Sequence, residues 1–124
     1  MGLKSKIKGT LRPGRYVEAL PASQGEVMAG RAVLVTGGTS GIGRATVQLL
    51  VRCGAEVAFT GRPGNRALAE IETELGATAH GIEYDAGRQP VGDLLARAAG
   101  VLEGLPDYLF ANADVYADGE VVWD

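Results

Sequence analysis

From Arg31 onward, short unbroken apolar runs alternate with stretches whose apolar residues recur at helical spacing. Ala32-Val33-Leu34-Val35 is apolar throughout and ends in a glycine cluster, the pattern of a strand buried on both faces of a parallel sheet. Ile42, Ala45, Thr46, Leu49, Leu50 and Cys53 keep helical spacing and predict a helix over 42–53, with Gly54 placed to end it in a left-handed residue. Glu56-Val57-Ala58-Phe59-Thr60 reads as a second strand, and Asn65–Leu75 as a second helix stopped at Gly76. Thr78–Tyr84 reads as a third strand with apolar positions at Ala79 and Ile82. Val91–Leu102 is a third helix even though Gly92 and Gly100 weaken it, and Asp107–Ala111 is a fourth strand closing into Asn112.

Strands alternating with helices of about 12 residues imply right-handed crossovers and a parallel sheet. The predicted class is therefore α/β, a doubly wound parallel sheet truncated after about four strands, in the order 3-2-1-4. The switch point falls between the first and fourth strands, where such sheets bind ligands beyond the carboxyl ends of the strands. In this arrangement the first two helices cover one face and only the third covers the other. Part of that second face and the edge of the fourth strand then lack cover, a deficit that a homo-oligomer or a complementing C-terminal chain would answer.

Composition supports one soluble unit and locates an unusual terminus. The chain has 124 residues, 46% apolar and 22% charged with 19 glycines, unlike a disordered or fibrous protein. Residues 1–30 contain Pro13, Gly14, Pro21, Gly25 and Gly30 without a sustained period, and read as a basic, partly flexible leader with a short structured turn at Arg15–Leu20. Residues 31–124 form the second region. Residues 1–15 hold five basic residues and no acid, whereas the remaining seven basic residues face all fifteen acids. No aromatic interleaving or amphipathic repeat supports a nucleic-acid or membrane partner for that leader. Nowhere are there the roughly 18 consecutive apolar residues of a membrane span, and no secretory core is present, so the cytoplasm is the expected location. Lys6 stands where myristoylation requires Ser or Thr. Cys53 reads as a buried small hydrophobe in a helix, His80 as a solitary satisfied or exposed histidine, and no metal-ligand cluster is visible. Tyr84, Tyr116 and Trp123 read as packing or rim residues.

The chemistry lies in the turn Thr36-Gly37-Gly38-Thr39-Ser40-Gly41-Ile42-Gly43. A pyrophosphate needs backbone N–H donors and a positive field, and a helix starting directly behind a glycine turn supplies both where no side chain blocks the approach. Gly37, Gly41 and Gly43 remove those side chains with the spacing Gly-x-x-x-Gly-x-Gly, which differs from the commoner Gly-x-Gly-x-x-Gly fingerprint.

That block resembles the cofactor signature of the short-chain dehydrogenase/reductase family, whose fold is Rossmann-like. Gly61-Arg62 after the second strand, Asp85 after the third, and Asp107-Tyr108-Leu109-Phe110-Ala111-Asn112-Ala113 at the fourth resemble the family pattern in order and spacing. The resemblance covers roughly residues 31–124, making this region the N-terminal part of a dinucleotide-binding domain. It implies cofactor contacts at Gly37, Thr39, Ser40, Gly41, Ile42 and Gly43, at Arg62, at Asp85 and Ala86, and at Asn112 and Ala113. By resemblance Asp85 meets the adenine amino group; from the residues alone it equally caps the following turn. Two positions depart from the pattern: Asp114 stands where the family has Gly, and Ala111 where it often has a first Asn. An acid at the end of the second strand would hold a ribose 2′-hydroxyl, whereas Arg62 attracts a 2′-phosphate. A charge-assisted hydrogen bond of about 1.5–3 kcal/mol favours NADP(H) roughly 10- to 150-fold, NAD being the alternative if Arg62 is only solvated. The family's proton donor, a Tyr-x-x-x-Lys pair, has no match: the residues four after the tyrosines are Leu20, Arg88, Asn112 and Glu120, and the last lysine is Lys8. No catalytic residue is therefore assigned. The implied function is a carbonyl-reducing or alcohol-oxidising enzyme represented by its cofactor-binding half; the alternative is a non-catalytic dinucleotide-binding module.

Overall fold

The computed structural model describes residues 26–112 in full, together with the backbone of 114–117 and 120–123. Four strands form one parallel sheet: β1 (Ala32–Thr36), β2 (Glu56–Gly61), β3 (Ala79–Glu83) and β4 (Tyr108–Ala111). Helices α1 (Gly41–Arg52), α2 (Ala67–Leu75) and α3 (Val91–Leu102) connect them in turn. The strand order is β3-β2-β1-β4, the doubly wound order expected, with its switch point between β1 and β4. Asp107 sets the fourth strand beside the first: its N–H donates to Ala32 O at 2.7 Å and its Oδ2 accepts from Ala32 N at 2.8 Å.

Strand alternation divides the core into two layers. Val33 and Val35 of β1 and Val57 and Phe59 of β2 face α1 and α2, packing with Val47, Leu50, Leu68 and Ile71. Leu34, Ala58 and Ile82 point the other way, against Leu94 and Ala98 of α3. Val33, Leu34 and Val35 are all buried, so β1 is covered on both faces as its unbroken apolar run requires. Met28 also packs on the first layer, and its N–H donates to Cys53 O at 2.8 Å. The basic residues of the leader and the turn expected at Arg15–Leu20 lie outside the described residues, as do Ala113 and the side chains of Tyr116 and Trp123.

Three features differ from the sequence reading. The buried face of α1 is Gly43, Val47 and Leu50, while Ile42 is 78% exposed. Helical spacing alone admitted either phase; the helix is turned so that Gly43 meets the backbone beyond β1. Cys53 lies just beyond the last residue of α1 and is only half-buried, its N–H shared between Leu49 O and Leu50 O. It belongs to the helix terminus, with Gly54 following at φ 90°. Finally, β5 (Asp114–Ala117) pairs antiparallel with β6 (Glu120–Trp123) as a separate two-stranded sheet. The signal was present in the sequence: Val115-Tyr116 and Val121-Val122 flank Asp118-Gly119, a strong two-residue hairpin signature.

His80 Nε2 lies 2.9 Å from Glu56 Oε2 across the edge of the sheet, so the histidine has a partner. On the β4 side, by contrast, Tyr108, Leu109 and Phe110 are exposed, Leu109 by 58%. Among the described residues Phe59 is the largest fully buried side chain, and it belongs to the core layer shared with α1 and α2. Phe59→Ala is expected to cost about 3–5 kcal/mol of folding free energy, measured by chemical denaturation; a loss below about 1 kcal/mol would contradict this packing.

Candidate functional site

The turn after β1 is held from three sides. Gly37 N–H donates to Thr60 Oγ1 at 3.0 Å, and Gly38 N–H donates to Thr60 O at 2.9 Å. Thr60 is almost fully buried near the end of β2, where its hydroxyl accepts that Gly37 N–H. On the opposite side, Asn112 Nδ2 donates to Gly37 O at 3.2 Å, and Asn112 N–H donates to Thr36 Oγ1 at 3.0 Å. Gly37 itself takes φ 68°, a left-handed conformation that glycine adopts without steric cost. Gly43 closes the third side, since a Cβ there would strike Gly37 O and come within 2.6 Å of Asn112 Nδ2.

Behind this turn α1 begins with donors facing outward. Ser40 is extended (φ −152°, ψ 164°) and makes no side-chain cap, and the first turn of the helix carries no acid. The N–H groups of that turn and the positive end of the helix dipole are therefore directed to the cleft, which suits an anion.

Two further turns complete the rim. Arg62 follows β2 and is exposed, with no ion-pair partner among the described residues. After β3, Tyr84 N–H donates to Gly61 O at 2.8 Å and Tyr84 Oη donates to Gln89 O at 2.9 Å. Asp85 Oδ1 accepts from Gly87 N–H at 3.0 Å, so the turn-capping role is realised, and its N–H donates to Gln89 Oε1 at 2.7 Å.

These elements enclose an open cleft of about 420 Å³. Gly37, Thr39, Ser40, Gly41 and Ile42 line it from the glycine turn, Arg62 from β2, Asp85 and Ala86 from β3, and Asn112 from β4. Gly43 sits beneath the lining as the contact that admits α1. Ala113 lies outside the described residues. Thr60, Asn65 and Tyr84 also line the cleft and were not singled out as binding residues from sequence. Thr60 and Asn65 gain their roles from partners 23 and 26 positions away, which no local pattern displays. Among the described residues, no group of three or more His, Cys, Asp or Glu side chains is placed to hold a metal ion. No helix among them is long and apolar enough to cross a membrane.

A second hollow of about 380 Å³ adjoins the cleft, sharing Tyr84 and Ala86 with it. Its lining is mainly apolar, with Val91 and Leu95 from α3 and Leu109 from β4. The site thus has a donor-rich end on the glycine turn and a greasy end beside the exposed fourth strand.

Comparison with known proteins matches residues 31–122 to the family model for short chain dehydrogenases. The chain is 36% identical over 93 residues to a 3-oxoacyl-[acyl-carrier-protein] reductase of Aquifex aeolicus, covering 72% of this chain and 37% of that protein. It is 50% identical over 56 residues to a cis-2,3-dihydrobiphenyl-2,3-diol dehydrogenase of Paraburkholderia xenovorans, covering 45% of this chain and 20% of the other. Among solved structures, a Serratia marcescens short-chain dehydrogenase/reductase mutant superimposes with TM-score 0.64 at 26% identity, over 73% of this chain and 38% of its own. A 3-ketoacyl-(acyl-carrier-protein) reductase of Brucella melitensis, solved with NADH, shares the fold with TM-score 0.65 at 23% identity, over 72% of this chain and 36% of its own. The chain spans under two fifths of the length of each of these proteins. With a glycine turn, switch-point cleft and strand order that agree with this match, the chain belongs to the short-chain dehydrogenase/reductase family.

Proposed function

We propose that this chain is the cofactor-binding portion of an NADP(H)-dependent short-chain oxidoreductase that reduces a carbonyl or oxidises an alcohol, and that it is inactive alone. The observation carrying this reading is the cleft itself, where an uncapped helix N-terminus, a glycine-rich turn and an arginine with no ion-pair partner among the described residues converge. The donor set fits a dinucleotide. Gly41, Ile42 and the first-turn N–H groups of α1 would hold the pyrophosphate, Asp85 and Ala86 the adenine, and Asn112 with Ala113 the adenosine side of the sheet. Arg62 would pair with a 2′-phosphate, which a cation favours and an acid in its place would repel. When bound, a nicotinamide dinucleotide supplies or accepts the hydride. What the present residues contribute is position and charge.

A second reading is a non-catalytic dinucleotide-binding module, which the same cleft and glycine turn would serve. Either reading is expected to operate in the cytoplasm. In both, the exposed Tyr108-Leu109-Phe110 strand calls for a homo-oligomer or a complementing C-terminal chain.

Two measurements test this. In the first, Arg62→Ala is expected to lower NADPH affinity roughly 10- to 150-fold while NADH affinity changes little; an unchanged NADPH:NADH ratio would remove the cofactor assignment. In the second, size-exclusion with light scattering is expected to give a mass above that of the monomer, and a clean stable monomer would refute self-association across β4.

A further inference from the structure

The turn that carries Arg62 also brings a second residue to the same end of the cleft. Arg62-Pro63-Gly64-Asn65 closes on itself, with Asn65 N–H donating to Arg62 O at 3.0 Å. Proline in the second position and glycine at φ 83° in the third match a turn whose central peptide is flipped. Glu83 Oε1 accepts the N–H of Gly64 at 3.1 Å and holds that flipped peptide from outside. The backbone between Arg62 and Asn65 is thereby fixed, and both residues line the cleft.

The orientation of the Asn65 amide follows from its partners. Ala67 N–H, at the start of α2, can only donate, and it points at one end of the Asn65 side chain at 2.9 Å, so that end is the oxygen Oδ1. The other end is therefore Nδ2, which donates to Thr39 Oγ1 at 3.3 Å. The amide has a second N–H beyond the one given to Thr39. The Thr39 hydroxyl, having accepted from Asn65, keeps its own hydrogen to donate. Together with Arg62 in the same lining, the cleft wall therefore offers donors from two more residues. A phosphate oxygen accepts from all of them, whereas a ribose hydroxyl would leave most of them unmatched.

Resting on the NADP(H) reading above, we propose that Asn65 is a specificity-determining residue, its Nδ2 donating to the 2′-phosphate alongside Arg62 while its Oδ1 caps the start of α2. One side chain thus couples the folding of α2 to the choice of cofactor. It also ties the loop after β2 to the glycine turn, through Thr39.

The two roles separate by substitution. Asn65→Asp keeps an oxygen for Ala67 N–H, so the cap survives, but replaces the donor with a negative charge facing the phosphate site. Asn65→Ser keeps a capping hydroxyl and withdraws the amide without adding charge. Calorimetric titration of the full chain with adenosine 2′,5′-bisphosphate and with ADP reads both ligand types without turnover. For Asn65→Asp, affinity for the 2′,5′-bisphosphate is expected to fall at least about tenfold and ADP affinity to change by less than about twofold, with the thermal midpoint unchanged. Asn65→Ser is expected to lose about three- to tenfold for the 2′,5′-bisphosphate alone. If either folded variant retains wild-type preference while Arg62→Ala loses it, Asn65 is a cap only, and the NADP(H) reading stands without it. Equal weakening of both ligands also overturns the proposal, since it marks a general disturbance of the site. A wild-type chain that does not prefer the 2′,5′-bisphosphate overturns both readings together.

Discussion

Helix α1 starts where it does because Gly43 carries no side chain. Any Cβ at that position would occupy the space of the Gly37 carbonyl and crowd the Asn112 amide, so the helix would have to withdraw from the end of the sheet. That close approach connects three elements at one point: the turn after β1, the first turn of α1 and the end of β4. Asn112 completes it by donating to the same Gly37 carbonyl that Gly43 leaves accessible. The helix rotation follows, since Val47 and Leu50 lie four and seven residues further along the same face and meet the sheet layer formed by Val33, Val35, Val57 and Phe59. The open donors of the first turn then point into the cleft and not into the core. An open set of donors facing the cleft and a packed core are two consequences of one steric constraint.

The order of strands and helices was legible because each run of apolar residues has one dominant period and is punctuated by glycine or proline. Strand β1 is buried on both faces and reads as an unbroken apolar run; α3 keeps its period despite two glycines, and its bounds agree with the residues themselves. The phase of α1 was not legible. Its sequence is apolar on more than one side, and the residue that selects the buried face is a glycine, which contributes no hydrophobic signal. The β5–β6 hairpin illustrates the opposite case: its two-residue turn signature is plain in the sequence but competes with the expectation that the fourth strand ends the sheet.

Site residues divide in the same way. Gly37, Gly41 and Arg62 could be marked from sequence because their chemistry is local: a turn, a helix start, a charge after a strand. Thr60 could not, because its function depends on the Gly37 N–H reaching it from the turn after β1. Asn65 shows how a helix-start residue conceals a second role. Its oxygen is explained entirely by Ala67, and only the position of Thr39, brought beside it by the adjacent turn, gives its nitrogen a purpose. Gly61 permits that proximity, since a Cβ there would lie 2.6 Å from the Thr39 methyl carbon.

The two ends of the cleft rest on different supports. The donor-rich end is assembled from the loops after β1, β2 and β3, each tied to the next by hydrogen bonds through Thr60, Asn65 and the Tyr84–Gly61 backbone pair. Those strands are covered by α1 and α2 on one face and α3 on the other, so this end is held by a packed core. The apolar end leans on Leu95 and Leu109, both exposed, and on a fourth strand paired to β1 along one side. Local opening costs less where fewer apolar contacts must be broken, so the β4 side is the softer of the two. The two ends are joined through Tyr84 and Ala86, which line both, and through Asn112, whose two hydrogen bonds to Thr36 and Gly37 span the switch point. The donor-rich cleft and the apolar hollow beside β4 are thus physically separable parts of this fold.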